Sequence, residues 1–374
     1  MTPKRRVAVV LPEHWSTSKG GAEYQAHQIC TRLVETGNAE IHYLAKAFGS
    51  SPSQHEYRCT EVGSRLPLRA AKGTLLDSLR LWSALRRIRP DVIYQRVGSG
   101  YTGVCGLYAR WHGCRFVWHI AHDYDVTPGR FAGSGNRLNL AAHKWLLERG
   151  IPRATHVIAQ TVRQADLLGE HYRRHDAIVI PNSHPPPEPT TTAAPRTKIV
   201  WIANLKPIKR PEVFIRLAGL LSALEAVDLV MVGKPSWNPG WQSALEKAIA
   251  STPRLSYLGA ITQDDVNALL KEALVLVSTS VAEGFPNTFI QAWMRGVPVV
   301  SFGADPDGVL EKHEIGFVAD TEDHLATLVR RIVEDPALRE RLAANARTYA
   351  LANHGLANFD QLVSLLLDDR DAKA

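Results

Sequence analysis

Cysteine is scarce. Cys30, Cys59, Cys105 and Cys114 are the four in 374 residues; all fall in the first half and none forms a Cys-x-x-Cys pair. That disfavours a disulfide framework or a zinc knuckle, and free, mostly buried thiols in a reducing compartment are expected. Long apolar runs are absent too: no stretch approaches the roughly 20 residues a spanning helix needs. The opening MTPKRRVAVVLP passes from a basic tip straight into a strand-like run, without the apolar core or cleavage site of a secretory leader. Neither a solenoid-period repeat nor a long low-complexity tract occurs. These gaps together lead us to expect a cytoplasmic protein.

What is present is a globular composition, 45% apolar and 22% charged. The length exceeds one ordinary core, so two domains of about 180 residues are expected. Charge is unevenly shared. Residues 1–185 carry 25 Lys and Arg against 14 Asp and Glu, whereas the remainder carries 19 against 23. Only the first half, at +11, is set up to meet an anionic partner or surface.

Strand-like runs alternate with helical patterns throughout, which predicts parallel α/β sheets. In the first half the strands read 6–11, 40–45, 91–96, 115–120, 155–160 and 177–180, with helical patterns at 22–36, 74–89 and 135–149 among them. A Pro-, Thr- and Ala-rich stretch without periodicity, 182–197, reads as an interdomain linker. The alternation restarts at 198–203, 228–233, 255–259, 274–278 and 297–302, and helices close the chain near 321–333, 336–350 and 355–368. The predicted fold class is therefore two tandem, Rossmann-like, doubly wound domains, 1–185 and 186 onward, with ligands at the carboxyl ends of the strands.

Two patterns compete for attention. Gly98, Gly100 and Gly103 spell G-x-G-x-x-G after a strand, but the dinucleotide fingerprint normally follows a domain's first strand, and a flexible turn lining the cleft is expected instead. Asp123–Asp125 and Asp305–Asp307 each form Asp-x-Asp, which can hold the metal of a diphosphate substrate. Two unrelated copies read more simply as solvated turns.

The densest chemical signal is Glu283-Gly-Phe-Pro-Asn-Thr-Phe-Ile-Gln291, between a buried strand and a helix. A strand that ends in a glycine turn and feeds a helix offers unpaired backbone N–H groups to an anion. Gly284 and Phe285 make the turn, Asn287 and Thr288 are the candidate phosphate donors, and Glu283 can accept hydrogen bonds from sugar hydroxyls. Gln291 can donate and accept. The plainer reading is a capped helix with a favourably placed acid.

The second signal is Asn204-Leu-Lys206-Pro-Ile-Lys209-Arg210-Pro211. Cations where a helix begins are disfavoured by about 0.3–1 kcal/mol each unless an anion neutralises them. A diphosphate would do so, with Lys209 stabilising the leaving group. Gly20–Gly21 before the first helix and His122 at a strand's carboxyl end are weaker: glycine turns are common, and a lone histidine is often structural.

Taken together these residues resemble the retaining glycosyltransferases of family 4, which have the GT-B fold. The resemblance covers most of the chain and is carried by GGAE (20–23), VWHIAHD (117–123), IPNS (180–183), NLKPIKRP (204–211), LVMVGKP (229–235), LGAIT (258–262), EGFPNTFIQAW (283–293) and GVPVVSFGADPDGVL (296–310). It implies an acceptor-binding first domain (1–185), a nucleotide-sugar-binding second domain (186–352) facing it across a cleft, and a last helix (353–374) that crosses back. It implies catalytic roles for Glu283 on the donor sugar, Lys209 on its diphosphate and His122 near the transferred sugar. Gly20 and Gly21 then lie by the phosphates and acceptor.

Two positions depart from the family. Gln291 stands where a second glutamate usually binds the ribose, and Asn204 where an arginine is frequent, with Lys206 or Arg210 as substitutes for the charge. These leave open a catalytically silent sugar-nucleotide binder, beside a GT-B-like epimerase or phosphorylase. The expected reaction is transfer of a hexose from a nucleoside-diphosphate sugar, with no metal and no separate cofactor implied.

For the acceptor, Arg69, Lys72, Arg80, Arg86, Arg87 and Arg89 interleave with Leu75, Leu76, Leu79, Leu81, Trp82, Leu85 and Ile88, while His143, Lys144, Trp145, Arg149 and Arg153 add to the same half. A basic amphipathic helix can lie on an anionic membrane, or simply cover a sheet. In the first case the protein is peripheral on the inner face and the acceptor is a lipid-linked saccharide in polysaccharide assembly. Nucleic acid is not an expected partner.

Overall fold

A computed structural model describes residues 4–49, 56–63, 74–128, 137–188, 195–235 and 238–368. The chain divides into two compact units, residues 1–183 with 356–374 and residues 184–355.

Unit 1 begins with β1 (Arg5–Val10), α1 (Gly21–Glu35), β2 (Ala39–Ala45), β3 (Arg58–Glu61) and α2 (Thr74–Ile88). It continues with β4 (Val92–Arg96), α3 (Gly100–His112), β5 (Arg115–His119), α4 (Arg137–Gly150), β6 (His156–Ala159), α5 (Val162–Tyr172) and β7 (Ile178–Val179). The seven strands form one sheet in the order β3-β2-β1-β4-β5-β6-β7, with every pairing parallel. β4 and β5 are buried along their whole length, as expected of central strands covered on both faces.

Unit 2 repeats the plan with β8 (Lys198–Ile202), α6 (Pro211–Leu220), β9 (Asp228–Val232), α7 (Pro239–Ala250), β10 (Leu255–Tyr257), α8 (Gln263–Lys271) and β11 (Ala273–Ser278). There follow α9 (Asn287–Met294), β12 (Val299–Ser301), α10 (Val309–Lys312), β13 (Gly316–Val318), α11 (Glu322–Glu334) and α12 (Pro336–Asn353). Its sheet order is β10-β9-β8-β11-β12-β13, again all parallel. The expected doubly wound class is thus found twice, with order reversal between β1 and β4 in unit 1 and between β8 and β11 in unit 2.

Two strands escape the sequence pattern. β3 (RCTE) and β13 (GFV) are edge strands of four and three residues, too short to show a period. The linker reading at 182–197 falls partly on residues 189–194, outside the described residues. Asn182 and Ser183 belong to unit 1, and unit 2 takes up the chain at His184.

The last helix, α13 (Ala357–Leu367), packs on α1 in unit 1. Phe359, Leu362, Val363 and Leu366 join the core formed by β1, β2 and α1. Each such side chain contributes about 1.5–3 kcal/mol on burial. Arg5 and Arg115 hold the helix end, donating to the carbonyls of Leu367 at 2.9 Å and Leu365 at 2.7 Å. All four cysteines are free thiols; Cys30 and Cys105 are buried, and burial pushes Cys59 up to about 11 and Cys114 to about 12. No helix among the described residues is long and apolar enough to cross a membrane.

The G-x-G-x-x-G segment is not the flexible turn expected of it. Only its start is a turn: Ser99 caps α3, Gly100 is its first residue and Gly103 lies inside the helix. A Cβ on Gly103 would stand 2.3 Å from the Leu146 carbonyl oxygen, and one on Gly150 2.3 Å from that of Thr102. The glycines let α3 and α4 cross backbone to backbone.

Gly150→Ala should therefore lower the stability of unit 1 by about 1–3 kcal/mol. Gly219→Ala, where the new methyl meets nothing within 4 Å, should leave stability unchanged or raise it by about 0.4–1 kcal/mol. Urea unfolding of both variants checks the pair.

Candidate functional site

At a switch point the helices that follow two neighbouring strands leave to opposite faces, which opens a crevice at the strand carboxyl ends. In unit 2 the loop after β8 carries Asn204 to Arg210 and the loop after β11 carries Thr279 to Pro286. The two loops meet. The Val281 N–H donates to the Ile208 carbonyl at 3.0 Å, and the Lys209 ammonium is ion-paired with the Glu283 carboxylate. These two side chains are only 21% and 15% exposed, so their attraction is little screened.

Thr279, fully buried, is the hub beneath them. Its Oγ1 accepts from the Trp201 indole at 2.8 Å and donates to the Lys209 and Arg210 carbonyls at 2.6 and 3.0 Å. No local sequence pattern marks it, although threonine side chains commonly bond nearby backbone groups.

Arg210 is also structural in its contacts. Its backbone is left-handed at φ 46°, its Nε donates to the Thr279 carbonyl at 2.6 Å, and its guanidinium bonds the Phe302 carbonyl and lies 4.5 Å from the Phe302 ring centre. Burial lowers its pKa. Lys209 is thus the residue of this loop that faces Glu283, while Arg210 ties the loop to β11 and β12. Asn204 accepts the Lys234 N–H at 3.1 Å and so joins the loops after β8 and β9. Gly233 makes that junction possible: a Cβ there would fall 1.7 Å from the Ala203 oxygen.

Beyond Glu283, Gly284 and Phe285 are buried. The Phe285 ring packs 4.6 Å from His354 and 6.0 Å from Trp293, so it anchors the turn in the core and only its backbone can face a ligand. α9 starts after Pro286 with no side-chain cap, placing the backbone of Asn287 and Thr288 at its open turn. Gln291 is 3% exposed, and its amide donates to Gln263 Oε1 at 2.8 Å and Asn267 Oδ1 at 3.2 Å. Both partners lie on α8 and were not anticipated.

In unit 1, Gly20 is the N-cap of α1 and Gly21 its first residue, with the Glu23 side chain folded back over Gly20. His122 follows β5. Its Nδ1 accepts the Tyr124 N–H at 3.2 Å and its ring stacks on Tyr124 at 4.5 Å. With Nδ1 accepting, the neutral ring carries its proton on Nε2. The Asp-x-Asp pairs are held by protein groups. Asp125 accepts the Ala121 and His122 N–H groups, Asp123 pairs with Arg163 at 3.3 Å, and Asp305 accepts the Leu310 N–H.

Below His122 lies a buried polar cluster. Arg96 Nη2 donates to Asn182 at 2.6 Å, Nη1 reaches His119 at 3.0 Å, Asn182 donates to Gln160 at 2.8 Å, and Gln160 donates to the Ile120 carbonyl at 2.7 Å. It fixes the chain at the carboxyl ends of β4, β5 and β6. Burial, then the Arg96 charge, pushes the His119 pKa well down.

Residues 19–186 match the family model described as Glycosyltransferase Family 4, and residues 196–335 match Glycosyl transferases group 1. The chain belongs to the family 4 glycosyltransferases. Among similar proteins, D-inositol 3-phosphate glycosyltransferase of Rhodococcus opacus is 25% identical over 283 residues, 69% of this chain and 63% of that protein. Glycosyltransferase 1 domain-containing protein 1 of Xenopus tropicalis is 26% identical over 157 residues, 41% and 45% of the two chains. The match thus spans less than two thirds of either relative. Anabaena HepE, solved in complex with UDP-glucose, superimposes at a TM-score of 0.76 and 19% identity over 97% of this chain and 99% of its own. That likeness shows the fold, the GT-B pair of Rossmann-like units.

His119 also sets a pH dependence for this family member. It stays neutral in the folded state, whereas the unfolded chain binds a proton near the ordinary value of 6.5. Stability is therefore intact above about pH 6.5 and falls below it by up to ~1.4 kcal/mol per pH unit. Urea titrations at stepped pH should show that slope in wild type and a shallower one in His119→Gln.

Proposed function

We propose that this chain is a retaining hexosyltransferase, moving a hexose from a nucleoside-diphosphate sugar to a saccharide acceptor in polysaccharide or glycoconjugate assembly. Unit 2 takes the donor and unit 1 the acceptor, which we assign as lipid-linked; the basic first unit then makes peripheral contact with an anionic membrane. The observation that carries the reading is the half-buried Lys209–Glu283 pair at the β8/β11 switch point.

The pair is a polar clamp with exchangeable partners. A bound diphosphate replaces Glu283 at the Lys209 ammonium, and the released carboxylate accepts hydrogen bonds from sugar hydroxyls. During transfer the bond from the anomeric carbon to the phosphate oxygen breaks as the bond to the acceptor oxygen forms on the same face. The departing phosphate oxygen takes the acceptor's proton, so the scheme needs neither a separate base nor a metal. Lys209 and the first turn of α9 stabilise the charge on the leaving diphosphate. The Nε2–H of His122 is a donor for the sugar. Gln291 serves the ribose through its amide, without the charge assistance that makes such bonds about twice as strong.

HepE was solved with UDP-glucose, which makes that donor the first to test. Calorimetric titration with UDP, GDP, ADP and NAD should show one nucleoside diphosphate binding, and Lys209→Ala should weaken it and cut turnover by roughly 100-fold or more. Glu283→Ala gives the sharper result, because it frees Lys209. Bare diphosphate should bind as well or better, while the sugar nucleotide loses affinity. Binding of NAD alone overturns the proposal, and donor binding without turnover under any acceptor makes the protein a silent binder.

A further inference from the structure

The amino ends of the unit 1 strands, at the other end of the sheet from Gly20 and His122, border an open basin of about 1930 Å³. Eight Lys and Arg line it against two carboxylates. Four of those cations have structural work. Arg5 and Arg115 hold the end of α13, Arg6 pairs with Asp91 at 3.5 Å, and Arg153 donates to the Arg149 carbonyl. The other carboxylate, Glu40, is taken by Arg58 at 3.0 Å. Lys4, Arg86, Arg89 and Arg110 remain, with no carboxylate partner among the described residues.

Helix carboxyl ends gather cations for reasons unrelated to ligands. The ends of α1, α2, α3, α4 and α13 lie on this side of the sheet and supply about −0.5 charge each. Against eight cations and two carboxylates they leave a surplus of roughly three to four positive charges. Arg89 moreover occupies a left-handed position, φ 50°, after α2, where glycine is the ordinary choice. Trp111, next to Arg110 in sequence, is 74% exposed.

We propose that this basin is a second anion site, for a ligand that presents two or more phosphate groups. A single monoester, at about −1.5 to −2, would leave much of the surplus unneutralised and most of the volume empty. The site shares no residue with the donor site, so the proposal does not rest on the transferase reading.

Two probes separate the sources of that chemistry. One is flotation with vesicles of phosphatidylcholine, with and without phosphatidylglycerol; the other is titration with inositol hexakisphosphate. Each is run on wild type, on Arg86→Gln/Arg110→Gln, and on Lys209→Ala. Both arginines are exposed, so the double variant should fold and retain nucleotide binding. An anionic probe should bind wild type and Lys209→Ala alike, and the double variant roughly 30-fold more weakly. Vesicle binding assigns the site to lipid headgroups. Binding of inositol hexakisphosphate alone assigns it to a soluble polyphosphate. Equal binding by wild type and the double variant, or binding of neither probe, overturns the proposal. Loss of nucleotide binding in Lys209→Ala bears only on the donor site.

Discussion

The parallel pairing of β8 with β11 is the constraint on which the unit 2 site depends. Lys209 and Glu283 stand 74 residues apart in sequence, and neither loop has a reason to fold toward the other alone. The register Ile199↔Val275 and Val200↔Leu276 fixes where both strands end. Thr279 then bonds two carbonyls of the first loop from the base of the second. The clamp is assembled by backbone hydrogen bonds, and the charges are the last to be placed. This order makes physical sense. A salt bridge at this depth costs nearly as much in desolvation as it returns in attraction, so it cannot itself hold the loops together. What it can do, on the proposed reading, is exchange its carboxylate for a diphosphate.

Unit 1 meets the same problem with different chemistry. The carboxyl ends of its central strands carry a buried guanidinium, a neutral histidine and two side-chain amides instead of an ion pair. A buried charge without a carboxylate is costly unless hydrogen-bonded; here Asn182 accepts from Arg96 Nη2 and His119 and Tyr94 lie against Nη1, while the buried Nε has no partner among the described residues. The arrangement keeps the loop before His122 in place without a mobile counter-ion. Its cost is acid sensitivity, since a protonated His119 beside Arg96 would set two cations together.

Much of the fold was legible in the sequence, and the reasons are specific. A strand such as ALVLVS is buried along nearly its whole length and therefore reads as a continuous apolar run. β3 and β13 do not: β3 (RCTE) is mostly polar, and β13 (GFV) is too short to show a period. Single-residue meaning was harder. Gly103 looks like a phosphate-binding glycine in sequence and is a helix-crossing glycine in space, because only the position of Leu146 tells them apart. Arg210 looks like a third cation for an anion, yet its guanidinium is turned to the carbonyls of Thr279 and Phe302. Gln263 and Asn267 carry no local signal at all. They matter only because α8 brings them to Gln291.

That last contact bears on the departure at position 291. A carboxylate there would need donors around it, and the neighbouring amides would have to turn their N–H groups inward. With glutamine, both amide hydrogens are accepted by Gln263 and Asn267 and the oxygen is left as the acceptor. The substitution thus removes a charge from a position that is 3% exposed and keeps a directed acceptor. A diol is recognised by where its acceptors point as much as by their charge, since a misplaced hydroxyl leaves a buried polar atom unpaired. The three amides behave as one group, and the chemistry at 291 cannot be read from that residue alone.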